Sequence, residues 1–544
     1  MKRRARKRSG QRGMALIVLA TVLVLGIAWF AVGTLGRAPV AAAERETRTG
    51  LALQAAKRAL LAYVAQQAAR ATTAVPGQMP CPEAVTLTNP GQASTSCSNA
   101  AASVGRLPWR TLGIDQPRDG DGEPLWYILS PGFRSAPINF GTPAQLTYNG
   151  ATNAAVALII APGKPLAPSG CNTVNQQVAT RKQPSLDSAN FLECSNATGS
   201  YVSPGTTDMN DRIIAITAAE WADAIAPALA DRLQRQIAPL LANWDTTEQS
   251  SAGKSWGSTW GLAYLPFASA FGNPATNDFC GNGETSPATM EGLPPIATRS
   301  SAACDTAWTG TASPGVPILE SQGCTPGATE MVCTFRRIPG GVGGIVTLPA
   351  TITVAAARAP GSFRGTILAS DISVTNGGSA SITGWSFSTN PGSATATIVI
   401  NWPLLPVNTQ MEVRIPNLAD AAILTSSTLG WFLTSEWHRY TYYAIAPGAA
   451  AGASPACGAG GACLTVNGLA ANSTNTRLVL VLSGRAPLVV GPPPSSLDYY
   501  LEAENHSTGD STFVSAVTTS NFNDRVAACP FQHSTTTGAV AVCN

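Results

Sequence analysis

Residues 156–166 read VALIIAPGKPL, and residues 478–488 read LVLVLSGRAPL. Each is a short apolar run that ends in Gly, a basic residue and Pro. A run of this length, bounded by turn residues, reads as a strand buried in a sheet. The match continues on both sides. Upstream, Thr111-Leu112-Gly113 precedes LWYILSPG (125–132), and Thr428-Leu429-Gly430 precedes TYYAIAPG (441–448). Downstream, PSLDSANFLE (184–193) answers PSSLDYYLE (494–502), and MNDRII (209–214) answers FNDRVA (522–527). Matching elements in one order over about 100 residues mark an internal duplication. Residues 105–217 and 428–528 are therefore two copies of one unit: aromatic strand, loop, apolar strand, polar loop, last strand.

Two further pieces lie between the copies. Thr217-Ala218-Ala219-Glu220 is a capping box, with Thr at N-cap and Glu three residues on. Trp221, Ile225, Leu229, Leu233, Ile237, Leu240 and Trp244 then recur every three or four residues. That is a helix with one apolar face, expected to kink or break near Pro227 and Pro239. From 330 to 427 the period falls to two, as in GIVTLPATITVAAA and MEVRIPNL. This pattern predicts a β-sandwich inserted between the copies. The stretch 245–329 is loop-rich and contains cysteines, and no element is assigned to it.

Charge sits unevenly. The chain carries 34 Lys plus Arg, 31 Asp plus Glu and a formal charge of +3, with only 12% of its 544 residues charged. Seven of the basic residues fall within 1–13, MKRRARKRSGQRG, which has no acid. The rest of the chain is net acidic, so charge gives no support to a nucleic-acid partner. The apolar fraction of 44% excludes a disordered chain. Directly after the basic stretch, Met14–Leu35 is uncharged for 22 residues. About 20 apolar residues span a bilayer, and the basic flank belongs on the cytoplasmic side. Ala41-Ala42-Ala43 offers a second processing point, as in an ordinary secretory signal. Beyond a break expected at Gly33, Gly36 and Pro39, residues 44–71 return to helix-forming composition, with Leu53, Ala56, Leu60, Tyr63 and Val64 on one arc.

The segment Gly13-Met14-Ala15-Leu16-Ile17-Val18 resembles the type IV prepilin junction. The run from PGQMPCP (76–82) through GRLPWRTLG (105–113) to LWYILSPGF (125–133) resembles large pilin-like proteins of proteobacteria. The resemblance implies cleavage between Gly13 and Met14 by a prepilin peptidase. It also implies a long helix that packs among other pilins or pseudopilins on an inner-membrane assembly platform. Most pilins carry Glu at the fifth mature position, which here is Val18. That departure resembles the tip-type minor pseudopilins, whose place leaves no neighbouring amine to neutralise.

All twelve cysteines lie beyond the apolar segment, on the oxidising side. Their spacing groups them as Cys81–Cys97, Cys171–Cys194, Cys280–Cys304, Cys324–Cys333, Cys457–Cys463 and Cys529–Cys543, although spacing alone does not prove connectivity. No C-x-x-C occurs and there are three His, so ligation of zinc by Cys is disfavoured.

Few residues point to chemistry. Asp115, Asp119, Asp121 and Glu123 supply oxygens around two glycines, a composition that suits Ca²⁺ or a polar turn. Asn210-Asp211-Arg212 and Asn523-Asp524-Arg525 recur in both copies; they read as turn-fixing structure, with an anion or sugar site as the alternative. His438 beside Glu436, and His506 near Glu502 and Glu504, are the only hints of acid–base work. Trp126, Tyr127, Tyr440, Tyr442 and Tyr443 either stack on sugars or fill a core. No phosphate loop, dinucleotide fingerprint, G-x-S-x-G or H-E-x-x-H is present.

The expected architecture is α+β and β-rich: a long N-terminal helix, duplicated pilin-like β units and an inserted β-sandwich-like segment. The segments are a leader (1–13), a helix (14–74, with 14–35 transmembrane), a first unit (75–217), an amphipathic helix (218–244), the loop-rich region (245–329), the insert (330–427) and a second unit (428–544). The expected role is a non-enzymatic minor or tip subunit of a type IV pilus or type II secretion pseudopilus, needing no cofactor. The expected location is the inner membrane, single-pass with a periplasmic C-terminal region, or outside the cell in a pilus. The alternatives are an adhesin that binds glycan or protein through the insert and, more remotely, an exported hydrolase.

Overall fold

The computed structural model describes residues 11–83, 89–98, 103–166, 170–171, 187–203, 208–242, 265, 268, 290–294, 307–358, 369–389, 392–417, 426–449, 457, 462–468, 474–484, 501–502, 505, 511–517, 519, 522–532 and 540–541. The fold is β-rich α+β. Two compact units form, one from 1–63, 79–134 and 144–218, the other from 64–78, 135–143 and 219–544.

Helix α1 runs unbroken from Gln11 to Ala69. Gly33, Gly36 and Pro39 do not interrupt it, which corrects the break expected there. One proline removes a single ladder hydrogen bond, and the turns on either side carry the backbone through. Met14 to Trp29 are exposed throughout. Lower down, Thr49, Leu53, Ala56, Leu60, Val64 and Ala68 form a buried stripe at helical spacing. Among the described residues no helix is long and apolar enough to cross a membrane. This finding overturns the expected transmembrane segment 14–35 and the single-pass inner-membrane, periplasm-facing placement.

In the first unit, β1 (Val104–Arg106), β2 (Trp126–Leu129), β5 (Ala157–Ala161) and β6 (Arg212–Ile216) form an antiparallel sheet in the order β1-β2-β5-β6. A side hairpin pairs β3 (Leu146–Tyr148) with β4 (Ala151–Ala155). Every residue of β5 is buried, because both faces of the sheet are covered. On one face Trp126, Leu158, Ile160 and Ile213 pack with Phe191 and Tyr201. On the other, Tyr127 lies opposite Ile159, and Ile159 opposite Ile214. Helix α1 reaches this side of the unit: Lys57 Nζ donates to the Ala215 carbonyl at 2.8 Å. A short helix α2 (Cys194–Thr198) precedes β6 and ends in a left-handed Gly199.

The second unit repeats this plan. Helix α3 (Ala218–Arg232) passes through Pro227 without a break. It continues as a π turn (Leu233–Ile237) into α4 (Ala238–Ala242). The π turn falls just ahead of Pro239, where a widened ladder absorbs the missing N–H. The π turn and α4 pack on β18 (Thr476–Leu482) and β20 (Arg525–Gln532). The sheet order is β7 (Glu291–Gly292), β16 (Thr441–Ile445), β18, β20, β21 (Val540–Ala541). Tyr442 sits opposite Val481, which faces Val526, as Trp126 sits opposite Ile160, which faces Ile213, in the first unit. The edge strand β7 pairs with β16 as β1 pairs with β2. The duplicated plan is thus larger than the sequence matches: helix, edge strand, aromatic strand, apolar strand, Asn-Asp-Arg strand. A parallel pair, β17 (Thr465–Asn467) with β19 (Thr512–Val514), and helix α5 (Ser426–Thr434) complete this part.

The sandwich is formed by β8 (Thr309–Pro314), β9 (Leu319–Pro326), β10 (Glu330–Arg337), β11 (Thr347–Arg358), β12 (Ser373–Val374), β13 (Ser379–Thr389), β14 (Gly392–Pro403) and β15 (Gln410–Pro416). Its sheets run β12-β15-β10-β9 and β13-β14-β11-β8. Trp308, Met331, Phe335, Ile352, Ile398 and Trp402 lie in one core between them. β10 alternates half-buried and buried along its whole length, the period-two signature of one face on a core. The sandwich begins at Thr309, ahead of the expected 330, since TGTASP and LESQGCTP lack the Val/Ile alternation that marks the later strands. It also enters between β7 and β16, inside the second copy rather than between the copies as expected.

Candidate functional site

A polar groove of about 410 Å³ lies along α1 in the first unit. Three motifs that are far apart in sequence converge on it: the Asp119–Glu123 loop, the Gly163-Lys164 end of the apolar strand, and Asn210-Asp211-Arg212. Asp119 is the tie. Its Oδ1 accepts from the backbone N–H groups of Asp121 and Glu123, both at 2.9 Å, and its Oδ2 from that of Gly163 at 2.9 Å. Burial pushes its carboxyl above the usual range, although those donors and the turn oppose the shift. Gly120 N donates to Thr49 Oγ1 at 2.9 Å on α1. A Cβ at Gly120 would lie 2.2 Å from the Arg45 carbonyl, so only glycine lets the loop approach the helix this closely. Two ion pairs flank the clasp: Arg45 with Asp121 at 3.6 Å, and Arg212 with Glu46 at 3.2 Å.

This geometry fits the polar turn, one of the two readings of the acidic loop. Asp119 organises the turn, Asp121 faces Arg45, and Asp115 is exposed. Among the described residues, no group of three or more His, Cys, Asp or Glu is placed to hold a metal ion.

The Asn-Asp-Arg motifs sit in matching networks. In the first unit, Asp211 Oδ2 accepts from Glu193 N at 3.0 Å and Asn196 Nδ2 at 2.9 Å, while Glu193 Oε2 accepts from Asn210 N at 2.8 Å. In the second, Asp524 Oδ2 accepts from Glu502 N at 3.0 Å and Asn505 Nδ2 at 3.1 Å, while Glu502 Oε2 accepts from Asn523 N at 2.6 Å. Asn196 and Asn505 each bond both backbone groups of a following strand or loop residue, Val202 and Val514. The shared Glu-x-x-Asn (193–196 and 502–505) was visible in the sequence but not singled out there. Gly163 and Gly484 make room for the Asn210 and Asn523 side chains, each of which would meet a Cβ at its glycine. Burial pushes Asp524 up to about 7, and the Glu502 charge adds to the shift. Arg525 follows Asp524 at the start of β20, as Arg212 follows Asp211 at the start of β6.

Of the other flagged residues, Met14 is an exposed position of α1 and Gly13 lies in the same helix. Residues 1–10 of the leader lie outside the described residues. The structure joins Cys81–Cys97, Cys171–Cys194, Cys324–Cys333 and Cys457–Cys463. Cys529 is disulfide-bonded, while Cys280, Cys304 and Cys543 lie outside the described residues. His438 is buried, and desolvation lowers its pKa to about 4. Its neighbour Glu436 turns to Arg439 at 3.4 Å. His506 and Glu504 lie outside the described residues. Trp126, Tyr127, Tyr440, Tyr442 and Tyr443 are all buried, so they fill the cores of the two sheets and offer no stacking platform. The groove joins a helix to a sheet; it aligns no nucleophile with a base. No family model, no curated protein and no solved structure matches the chain.

Proposed function

We propose that the chain is a non-enzymatic structural subunit that joins a pilin-type filament through α1, in the low-copy or terminal position to which Val18 points. One observation carries this reading. α1 seats its lower half by a buried stripe and an aspartate-and-glycine clasp, yet leaves Met14–Trp29 bare, with Leu16, Leu19, Leu25 and Trp29 each at least 67% exposed. A ladder of aliphatic side chains held in water is unfavourable by roughly 25 cal/mol per Å². Packing among the helices of other subunits covers it. The helix-plus-sheet plan of each unit agrees with a pilin-like head, and the duplication gives two such heads in one chain.

The test is recovery of the native chain from surface filaments sheared off its own host. An N-terminus at Met14 in that fraction, read by mass spectrometry, supports the reading. A chain carrying Leu19→Arg and Leu23→Arg should be made but be lost from the filaments. Absence of the wild-type chain from sheared filaments, or an N-terminus at Glu44, overturns it.

A further inference from the structure

The strand directions place four loops of the sandwich at one end: 315–318 between β8 and β9, 338–346 between β10 and β11, 375–378 between β12 and β13, and 404–409 between β14 and β15. The ladders fix this arrangement. Leu319 faces Arg337, Thr347 faces Pro403, and Ser379 faces Asn401, while Asn408 N donates to the Arg337 carbonyl at 2.7 Å. The chain enters and leaves at the opposite end, where Trp308 Nε1 donates to the Pro416 carbonyl at 2.9 Å. The four loops are thus the distal end of an inserted domain that is tethered at its base.

Their composition is unusual for a protein surface. GVPI, IPGGVGGIV, TNGG and LLPVNT contain no charged residue and no aromatic residue. Four aliphatic side chains stand exposed among them: Val342 at 41%, Val346 at 77%, Leu404 at 41% and Val407 at 47%. Next to them Ile345 and Leu405 turn inward onto the core, so the loops are anchored.

We infer that this end is a lipid-contacting tip that inserts Val342, Val346, Leu404 and Val407 into the surface of an uncharged bilayer. The residue types decide among occupants. A nucleic acid or an anionic surface calls for Lys or Arg, and these loops have neither. A sugar calls for aromatic faces and clustered polar groups, and the loops have no aromatic residue. Protein hot spots favour Trp, Tyr and Arg and under-use Leu and Val. What remains is a soft apolar phase, in which aliphatic side chains on small, uncharged loops leave water without desolvating a charge. The inference concerns a different element from α1 and stands whether or not the chain joins a filament.

The test uses the full chain with a thiol-reactive, environment-sensitive dye at Val346→Cys, and vesicles of phosphatidylcholine alone. A site-resolved probe is used because Met14–Trp29 is a second exposed apolar surface of the chain. The dye at 346 should shift to the blue and brighten several-fold with vesicles, while the same dye at Val517→Cys stays as in water. Adding Leu404→Asp and Val407→Asp should abolish the shift at 346 and leave the far-ultraviolet circular dichroism of the chain unchanged. Three results overturn the inference: a 346 probe that stays as in water when vesicles are added, a shift that needs anionic lipid and collapses in salt, or a shift without vesicles that grows with protein concentration. The last identifies the tip as a contact between copies.

Discussion

The Arg232 guanidinium lies 4.0 Å over the Trp431 ring. Beneath that aromatic lid it donates to the carbonyls of Ala68, Ala71 and Thr73 at 3.2 to 3.4 Å. Ala68 is an orphan acceptor in the last turn of α1 and Ala71 and Thr73 follow its end, so a fully buried cation caps the helix at its negative pole and holds the chain that leaves it. Burial lowers its pKa to about 10, which leaves it charged at neutral pH. Arg232→Met strands the carbonyls and should cost about 2–4 kcal/mol. Arg232→Lys should recover less than half, since an ammonium neither forks to several carbonyls nor stacks flat. Urea unfolding of the full chain, followed by tryptophan emission, checks both; equal midpoints for Arg232→Lys and wild type would falsify the capping role.

Two buried groups of the second unit titrate with opposite sign over one pH range. Asp524 has its folded pKa raised to about 7. Its contribution is fully present below the unfolded value near 4 and is lost as pH rises through 7, on the order of 4 kcal/mol. His438 has its folded pKa lowered to about 4. Its contribution is present above the unfolded 6.5 and is lost as pH falls through 4. These two contributions should therefore largely offset one another between about pH 4 and 7. Asp524→Asn should leave a chain that weakens only toward acid, and His438→Leu one that weakens only toward neutral pH. Thermal midpoints at half-unit pH steps read this out, and parallel profiles for the two variants count against it.

Glycines in different settings should respond in opposite directions. Gly120→Ala drives a methyl against the Arg45 carbonyl and should loosen the clasp, costing about 1–3 kcal/mol. Gly430 sits in helix α5 with nothing within 4 Å of an added Cβ. Gly430→Ala should stabilise by about 0.5–1 kcal/mol. Hydrogen exchange of α1 residues 45–53 separates local loosening from global loss. Unchanged protection there in Gly120→Ala would sink the clasp as the element that seats the helix.

The duplication was legible because it is written in local patterns. Two apolar runs, two aromatic strands and two Asn-Asp-Arg turns survive as short strings. The helix that each copy carries was not legible as a repeat. α1 buries Leu53, Ala56 and Leu60, whereas α3 buries Trp221, Ile225 and Leu229; an apolar stripe needs only spacing, so its residues drift freely. The edge strands β1 and β7 were missed for a related reason. VGR and EG are too short to show a period, and their pairing is set by the neighbour's backbone. The acidic loop was legible only as either a calcium loop or a polar turn, because carboxylates around glycine suit both. Only the third partner, Gly163 N, decides between them.

Placing the sandwich inside the second copy has a consequence for folding. Its two ends meet through Trp308 and Pro416, and it carries its own core around Phe335, Ile352 and Trp402. The host sheet needs β7 only as an edge beside Tyr443 and Ala444. An insertion with adjacent ends and a separate core is removable when the host's pairings close without it. Replacing 308–416 with a short Gly/Ser linker should therefore give a soluble chain in which β16, β18 and β20 keep their register. Backbone amides of 478–482, buried at the centre of that sheet, should retain slow exchange in the deletion chain. Fast exchange there, in a chain that is still soluble, means that the sandwich is part of the second unit's fold and not a domain carried on it.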